Sequence, residues 1–191
     1  MFFDLFGALF SLISTYYFIR VDSKAWSIGV LATCLNTWLY WQSGIYADMC
    51  LESFYFLSTA YGWYNWTHTP RQSNEHQINS LTIWQWWYLA GLGSLIYIVV
   101  YTVLIFYAHS TVAKLDALTT TLSLIAQLLM CHKIISTWVF WFITDALFAI
   151  MYYQKHLPFH TALMFLYTGM AVIGYLSWWQ KSRLAPASLT V

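Results

Sequence analysis

Charge is what this sequence has least of. Eight Lys and Arg and seven Asp and Glu make up 8% of its 191 residues, against roughly 25% in an ordinary soluble domain. So few charges cannot cover a water-facing surface. Charge runs and basic patches are missing too, which excludes disorder and nucleic-acid binding. A net charge of +1 makes no appeal to an acidic partner. Cysteine is scarce: Cys34, Cys50 and Cys131 are an odd set with no C-x-x-C, and no His lies at metal-ligand spacing. All three fall in apolar stretches and read as small buried hydrophobes. Neither H-E-x-x-H nor a Ser-His-Asp pattern occurs, so no metal, no cofactor and no catalytic residue is implied. The opening residues, MFFDLFGALFSLIS, lack a basic n-region and a clear cleavage site. They read as a first membrane helix rather than a signal peptide.

What is present is apolar and aromatic. Hydrophobic residues make up 60% and aromatics 21%, with 12 Trp, 15 Tyr and 13 Phe, and the mean hydropathy is +0.58. A membrane span needs about 20 mostly apolar residues. Seven stretches qualify, near 2–20, 25–42, 47–66, 85–107, 113–131, 134–153 and 158–179. Short polar breaks separate most of them, which makes neighbouring helices antiparallel. The runs are continuous rather than alternating, so a barrel is disfavoured. Arg20, Lys24, Arg71, Lys133, Lys181 and Arg183 fall on one side and Lys114 and Lys155 on the other. The excess of cations on cytoplasmic loops puts the 20–24, 67–80 and 131–133 loops and the C-terminus inside, and the N-terminus outside. Trp and Tyr crowd the span ends as interfacial belts, as in Trp38-Leu-Tyr-Trp41, Trp63-Tyr-Asn-Trp66 and Trp178-Trp179.

The chain also matches itself without gaps at an offset of 112 residues. Asp4/Asp116, Ser11/Ser123, Trp26/Trp138, Tyr40/Tyr152, Gln42/Gln154, Tyr55/Tyr167, Gly62/Gly174 and Trp66/Trp178 are identical pairs. The expected architecture is therefore an all-α membrane protein, one membrane domain over 1–191. Its seven transmembrane helices form two parallel three-helix repeats joined by a linker helix. Repeat one covers 2–67, the linker 85–107, repeat two 113–179, and a cytoplasmic tail 180–191. Parallel repeats of this kind occur in transporters, with the solute between them near the midplane.

Ionisable residues within a span cost a few kcal/mol, so each is a functional candidate. In the sixth span Trp138, Trp141, Asp145 and Tyr152 are spaced i, i+3, i+7 and i+14. All four fall within roughly a 60° arc of a helix. Indole faces stack on aromatic ligands and attract cations. A carboxylate in low dielectric seeks a cation or a hydrogen-bond donor, or takes up a proton. The set suits a flat heteroaromatic solute that is cationic or bears an amide. A Trp-rich packing face, with Asp145 bonded to a neighbouring helix, is the alternative. The fifth span adds a polar stripe, Asp116, Thr119, Thr120, Ser123 and Gln127. Its hydroxyls can bond their own helix, but the Gln127 amide needs up to four partners. Asn36 lies mid-span in the second helix. In the third, Glu52, Tyr55, Thr59, Gly62 and Trp66 make a one-sided stripe with Trp63 beside it. Gly62 and Gly174 mark close helix approach.

These residues resemble a known family. Trp138, Trp141 and Asp145 look like the W-x2-W-x3-N/D motif of the PnuC-type vitamin transporters. Asp48, Glu52, Tyr55, Tyr61, Gly62, Trp63 and Trp66 look like the same family's third helix, D-x3-E-x2-Y-x5-YGW-x2-W. The resemblance runs from the second helix to Trp179. It implies a 3+1+3 fold like the sugar-transporting SWEET arrangement and passive uptake of nicotinamide riboside. Trapping would follow from phosphorylation by a cytoplasmic ribosylnicotinamide kinase, and assembly as a homotrimer is implied too. Relatives carry thiamine, riboflavin or deoxynucleosides. Position 145 is Asp where others have Asn, and a carboxylate suits a pyridinium and a thiazolium equally. The expected solute-binding residues are Trp138, Trp141, Asp145, Gln127, Asn36, Glu52 and Trp63. The expected location is the inner (plasma) membrane, with the lipid bilayer as surroundings and no enzymatic activity. An intramembrane enzyme using Glu52 and Asp145 as acid and base, and a proton-coupled carrier titrating Asp145, are the competing readings.

Overall fold

The apolar runs form helices throughout. The computed structural model describes residues 2–42, 46–68, 78–106, 113–154, 156 and 158–184. Among the described residues there are seven helices in chain order: α1 (Phe2–Arg20), α2 (Lys24–Gln42), α3 (Tyr46–His68), α4 (Ile83–Phe106), α5 (Ala113–Cys131), α6 (Thr137–Gln154) and α7 (Pro158–Leu184). They span 18 to 27 residues, about 27–40 Å at 1.5 Å per residue, enough for a hydrocarbon core of about 30 Å. Among the described residues, by length and hydropathy alone, α4 and Pro158–Arg183 of α7 are long and apolar enough to cross a membrane, with mean hydropathy 2.3 and 1.4. The others are diluted by polar and aromatic residues; α2 carries Trp26, Thr33, Asn36, Thr37, Trp38 and Trp41. Arg71, His76 and Lys155 lie outside the described residues, as do the side chains of Asp4, Asp48 and Cys50.

Two boundaries differ from the sequence expectation. The sixth helix starts at Thr137 rather than at 134, because Lys133 takes a left-handed φ of 53° and ends α5. Lys133 N donates to Met130 O and Ile134 N to Leu129 O, the two bonds of a Schellman stop. The apolar Ile134-Ile135 then makes a turn rather than a first helical turn. The seventh helix runs to Leu184, five residues into the expected tail. Pro158 opens it, where its missing N–H leaves no gap.

The chain forms two compact units. Unit 1 comprises residues 1–78, 130–133 and 176–191. In it α2 packs against both α1 and α3. Ser14 Oγ of α1 donates to Ala25 O of α2 at 2.8 Å. Trp26 is fully buried and seats its indole on Gly62 of α3, so closely that a Cβ there would overlap the ring. Phe18 and Trp66 meet the same indole edge-on, at 4.7 and 5.4 Å between ring centroids.

Unit 2 comprises residues 79–129 and 134–175. Thr137 Oγ1 of α6 donates to Ala126 O of α5 at 2.7 Å. Trp138 seats its indole on Gly174 of α7. Leu89 of α4 packs with Ile125 and Leu129 of α5, flanked by Leu81, Ile134 and Phe140. Ile135 N donates to Asn79 O, joining the segment before α4 to the turn before α6. The two units use the same local devices at positions 112 apart. Val21 and Lys133 both have positive φ and both end a helix with the same pair of bonds. Trp26 and Trp138 take the same seat on Gly62 and Gly174.

Candidate substrate site

Four of the expected site residues belong to unit 2 and three to unit 1. In unit 2, α6 carries Trp138, Trp141 and Asp145 on one face, but their surroundings differ. Trp138 is 2% exposed, its ring filled on one side by Gly174. That is the environment of a packing residue. Trp141, one turn on, is half-buried and makes no ring contact or hydrogen bond with another described residue. Its indole is the one that can take a guest. Asp145 lies a further turn along, about 6 Å by helical rise, and is 8% exposed. Among the described residues its carboxylate has no hydrogen-bond donor and no cation. A buried carboxylate in that condition costs several kcal/mol unless it is neutralised or finds a partner.

Gln127 on α5 is 9% exposed, so its amide also lies in a desolvated setting. Three of the hydroxyls on the same helix are spoken for. Thr119 Oγ1 donates to Leu115 O, Thr121 Oγ1 to Ala117 O, and Ser123 Oγ to Thr119 O. These bonds are internal to the helix and make the hydroxyls structural. Tyr152 sits between Phe148, stacked at 5.9 Å, and His160 at 5.3 Å.

In unit 1, Asn36 of α2 and Glu52 of α3 meet. Asn36 Nδ2 donates to Glu52 Oε1 at 3.2 Å, and the Asn36 carbonyl oxygen rests against Gly7 of α1. A glycine at position 7 leaves room for the amide: an added Cβ would lie 2.5 Å from Oδ1. Trp63 does not join this pair. It stands eleven residues beyond Glu52 on α3, about 16 Å along the helix, and is 42% exposed. Its surroundings are those of an interfacial aromatic.

Two readings from sequence need adjusting. Trp66 and Trp178 are buried, with their indole N–H groups bonded to backbone carbonyls, rather than belt residues. Their identity at an offset of 112 was the available signal. Cys34 is exposed on α2 rather than buried, while Cys131 is buried as expected. A small apolar side chain on a lipid-facing surface carries no penalty. Among the described residues no group of three or more His, Cys, Asp or Glu could hold a metal ion.

A family model described as "Nicotinamide mononucleotide transporter" matches residues 1–180. A solved structure, "Crystal structure of the Vitamin B3 transporter PnuC", is similar in fold, with a TM-score of 0.75 over 95% of this chain and 82% of that one. Sequence identity to it is 18%. Curated protein sequences give no match. The resemblance to the PnuC-type transporters is thus borne out. The all-helical membrane fold of seven helices is that of the neighbour. By the match over residues 1–180, the chain belongs to the nicotinamide mononucleotide transporter family.

Proposed function

We propose that this protein carries nicotinamide riboside across the inner membrane by facilitated diffusion, with phosphorylation in the cytoplasm trapping the solute. The observation that carries the reading is Asp145, a buried carboxylate with no partner among the described residues, one turn from the free indole of Trp141. A pyridinium ring fits both. Its π-face stacks on indole, and its charge answers the carboxylate. Gln127 of the same unit then supplies a hydrogen bond for the ribose or the carboxamide. Trp138 supports the site from its seat on Gly174. The family match and the fold shared with a vitamin B3 transporter support a vitamin B3-type cargo. Among the described residues these faces carry no cation at membrane depth, so a phosphate group would meet only carboxylates and amides. That favours the nucleoside over its phosphate.

The architecture proposed for this activity is two parallel three-helix repeats joined by α4, rocking to expose the site on either side. The N-terminus lies outside and the C-terminus in the cytoplasm. A homotrimer and functional coupling to a ribosylnicotinamide kinase complete the reading, which includes no catalytic step. Thiamine is the second candidate cargo, because a thiazolium ring presents the same flat cation. Saturable uptake by proteoliposomes, with the two solutes side by side, tests the proposal. Nicotinamide riboside is expected to enter and to be blocked by excess unlabelled riboside. Thiamine entering in its place would reassign the cargo, and a chemically altered product would contradict the transporter reading.

A further inference from the structure

Helix ends leave carbonyl groups without intrahelical donors. Unit 1 brings the ends of α1 and α5 together with the last turns of α3 and α7. Trp66 Nε1 donates to Met130 O at 3.1 Å, and Trp178 Nε1 donates to Phe18 O at 3.0 Å. Position 178 is 112 past 66, and position 130 is 112 past 18. Each indole therefore serves the helix end of the other repeat. The residue before each does likewise. Asn65 Nδ2 donates to Cys131 O at 2.9 Å, and Ser177 Oγ to Ile19 O at 3.2 Å. Those positions are again related by 112.

The two indoles meet at a tilt of 48°, with centroids 6.3 Å apart. Two cations fasten the same place. Lys133 Nζ stands 5.0 Å over the Trp66 ring, and Lys181 Nζ donates to Arg20 O at 2.7 Å. Reciprocal bonds of this kind are what an approximate two-fold axis between two halves of a chain produces.

We propose that Trp66 and Trp178 are positioning residues of the transport cycle: a reciprocal latch that closes the repeats on one another at the cytoplasmic end and opens for release there. This rests on the orientation and the rocking repeats of the proposed function. A carrier that frees its solute on one side must part its halves on that side. The two indole bonds that the parting breaks are neutral N–H to carbonyl bonds. Each biases an equilibrium by about fivefold, weak enough to open in every cycle. Pairing by symmetry makes the two indoles let go together, and the meeting rings exclude water while closed.

Cys131 reports on the latch, because it is buried beside Met130 and its Sγ reaches Ser58 O at 3.4 Å. In a chain keeping only that cysteine (Cys34→Ala, Cys50→Ala), labelling by a membrane-impermeant sulfonated maleimide is followed in inside-out and in right-side-out vesicles. Trp66→Phe and Trp178→Phe keep a ring and remove the N–H. Each is expected to raise the labelling rate about fivefold. Trp26→Phe is the control. Its ring meets Trp66, but its own buried Nε1 makes no hydrogen bond among the described residues. Its rate should stay within about twofold of the parent. Equal rates in all four proteins would overturn the latch, and so would an equal rise in Trp26→Phe, which would mark general loosening. Labelling raised only from the outer face would overturn its placement in the cytoplasm. No solute is needed, so this result stands apart from the choice of cargo.

A second experiment asks about motion. With all three native cysteines replaced by Ala, Ile19→Cys and Ser177→Cys are joined by oxidation in proteoliposomes. Nicotinamide riboside uptake should stop when they are joined and return with dithiothreitol. Undiminished uptake by the oxidised protein would overturn the latch. Failure of the reduced protein to take up the riboside would instead count against the cargo.

Discussion

Helices α2 and α6 occupy corresponding places in the two units and differ in a telling way. Their packing residues agree: Trp26 sits on Gly62, and Trp138 sits on Gly174. Their anchoring bonds to the preceding helix agree as well, with donor and acceptor exchanged between Ser14–Ala25 and Ala126–Thr137. Between these fixed points the chemistry diverges. Where α6 has Trp141 and Asp145, α2 has Gly29 and Thr33. Thr33 Oγ1 is satisfied by Gly29 O and Val30 O within its own helix, whereas the Asp145 carboxylate has no partner among the described residues. Unit 1 has Asn36 and Glu52 bonded to each other where unit 2 has Phe148 and Met164. A shared scaffold thus carries two unlike faces. The features that stay alike hold helices together, and those that differ set the face of α6 apart.

Substitutions at corresponding positions test that division, and the largest contrast is expected at 33 and 145. Asp145→Ala should lower the affinity for nicotinamide riboside at least about tenfold, the scale of a lost hydrogen bond to a charged group, and abolish saturable uptake while protein remains in the membrane. Thr33→Ala should leave both within about twofold, since only a bond internal to the helix is lost. Equal effects would dissolve the distinction between the faces.

The two glycine seats come next. Gly62→Ala and Gly174→Ala each drive a methyl into an indole, and overpacking of this kind costs about 1–3 kcal/mol. Thermal unfolding in detergent should show similar losses for both. Only Gly174→Ala should also weaken binding, because α6 carries Trp141 and Asp145. Smaller still is the contrast within α6. Trp141→Phe should reduce affinity severalfold with stability intact, while Trp138→Phe should lower stability first. The reverse order would return Trp138 to the binding surface.

The seven helices were legible in the sequence because apolar runs of membrane length have few other solutions. Boundaries were less so at 134, where Ile134 and Ile135 continue the hydrophobic run but Lys133 has already turned the chain. Asp145 was legible for the same reason, as the one charged residue of the 134–153 stretch. The role of Trp138 was not. Periodicity puts an indole on a face, but only the fold shows whether a glycine or open space lies opposite. Burial of Trp66 and Trp178 was hidden likewise, since an indole near a span end reads as a belt residue until its N–H is seen bonded to a helix end.

The central claim is that the face of α6 bearing Trp141 and Asp145 takes the solute. Titration of the purified protein with nicotinamide riboside, read by tryptophan fluorescence, tests it most directly. The native protein should show saturable quenching, much reduced in Trp141→Phe and absent in a folded Asp145→Ala variant. Identical titration curves for the native and Asp145→Ala proteins would contradict the account.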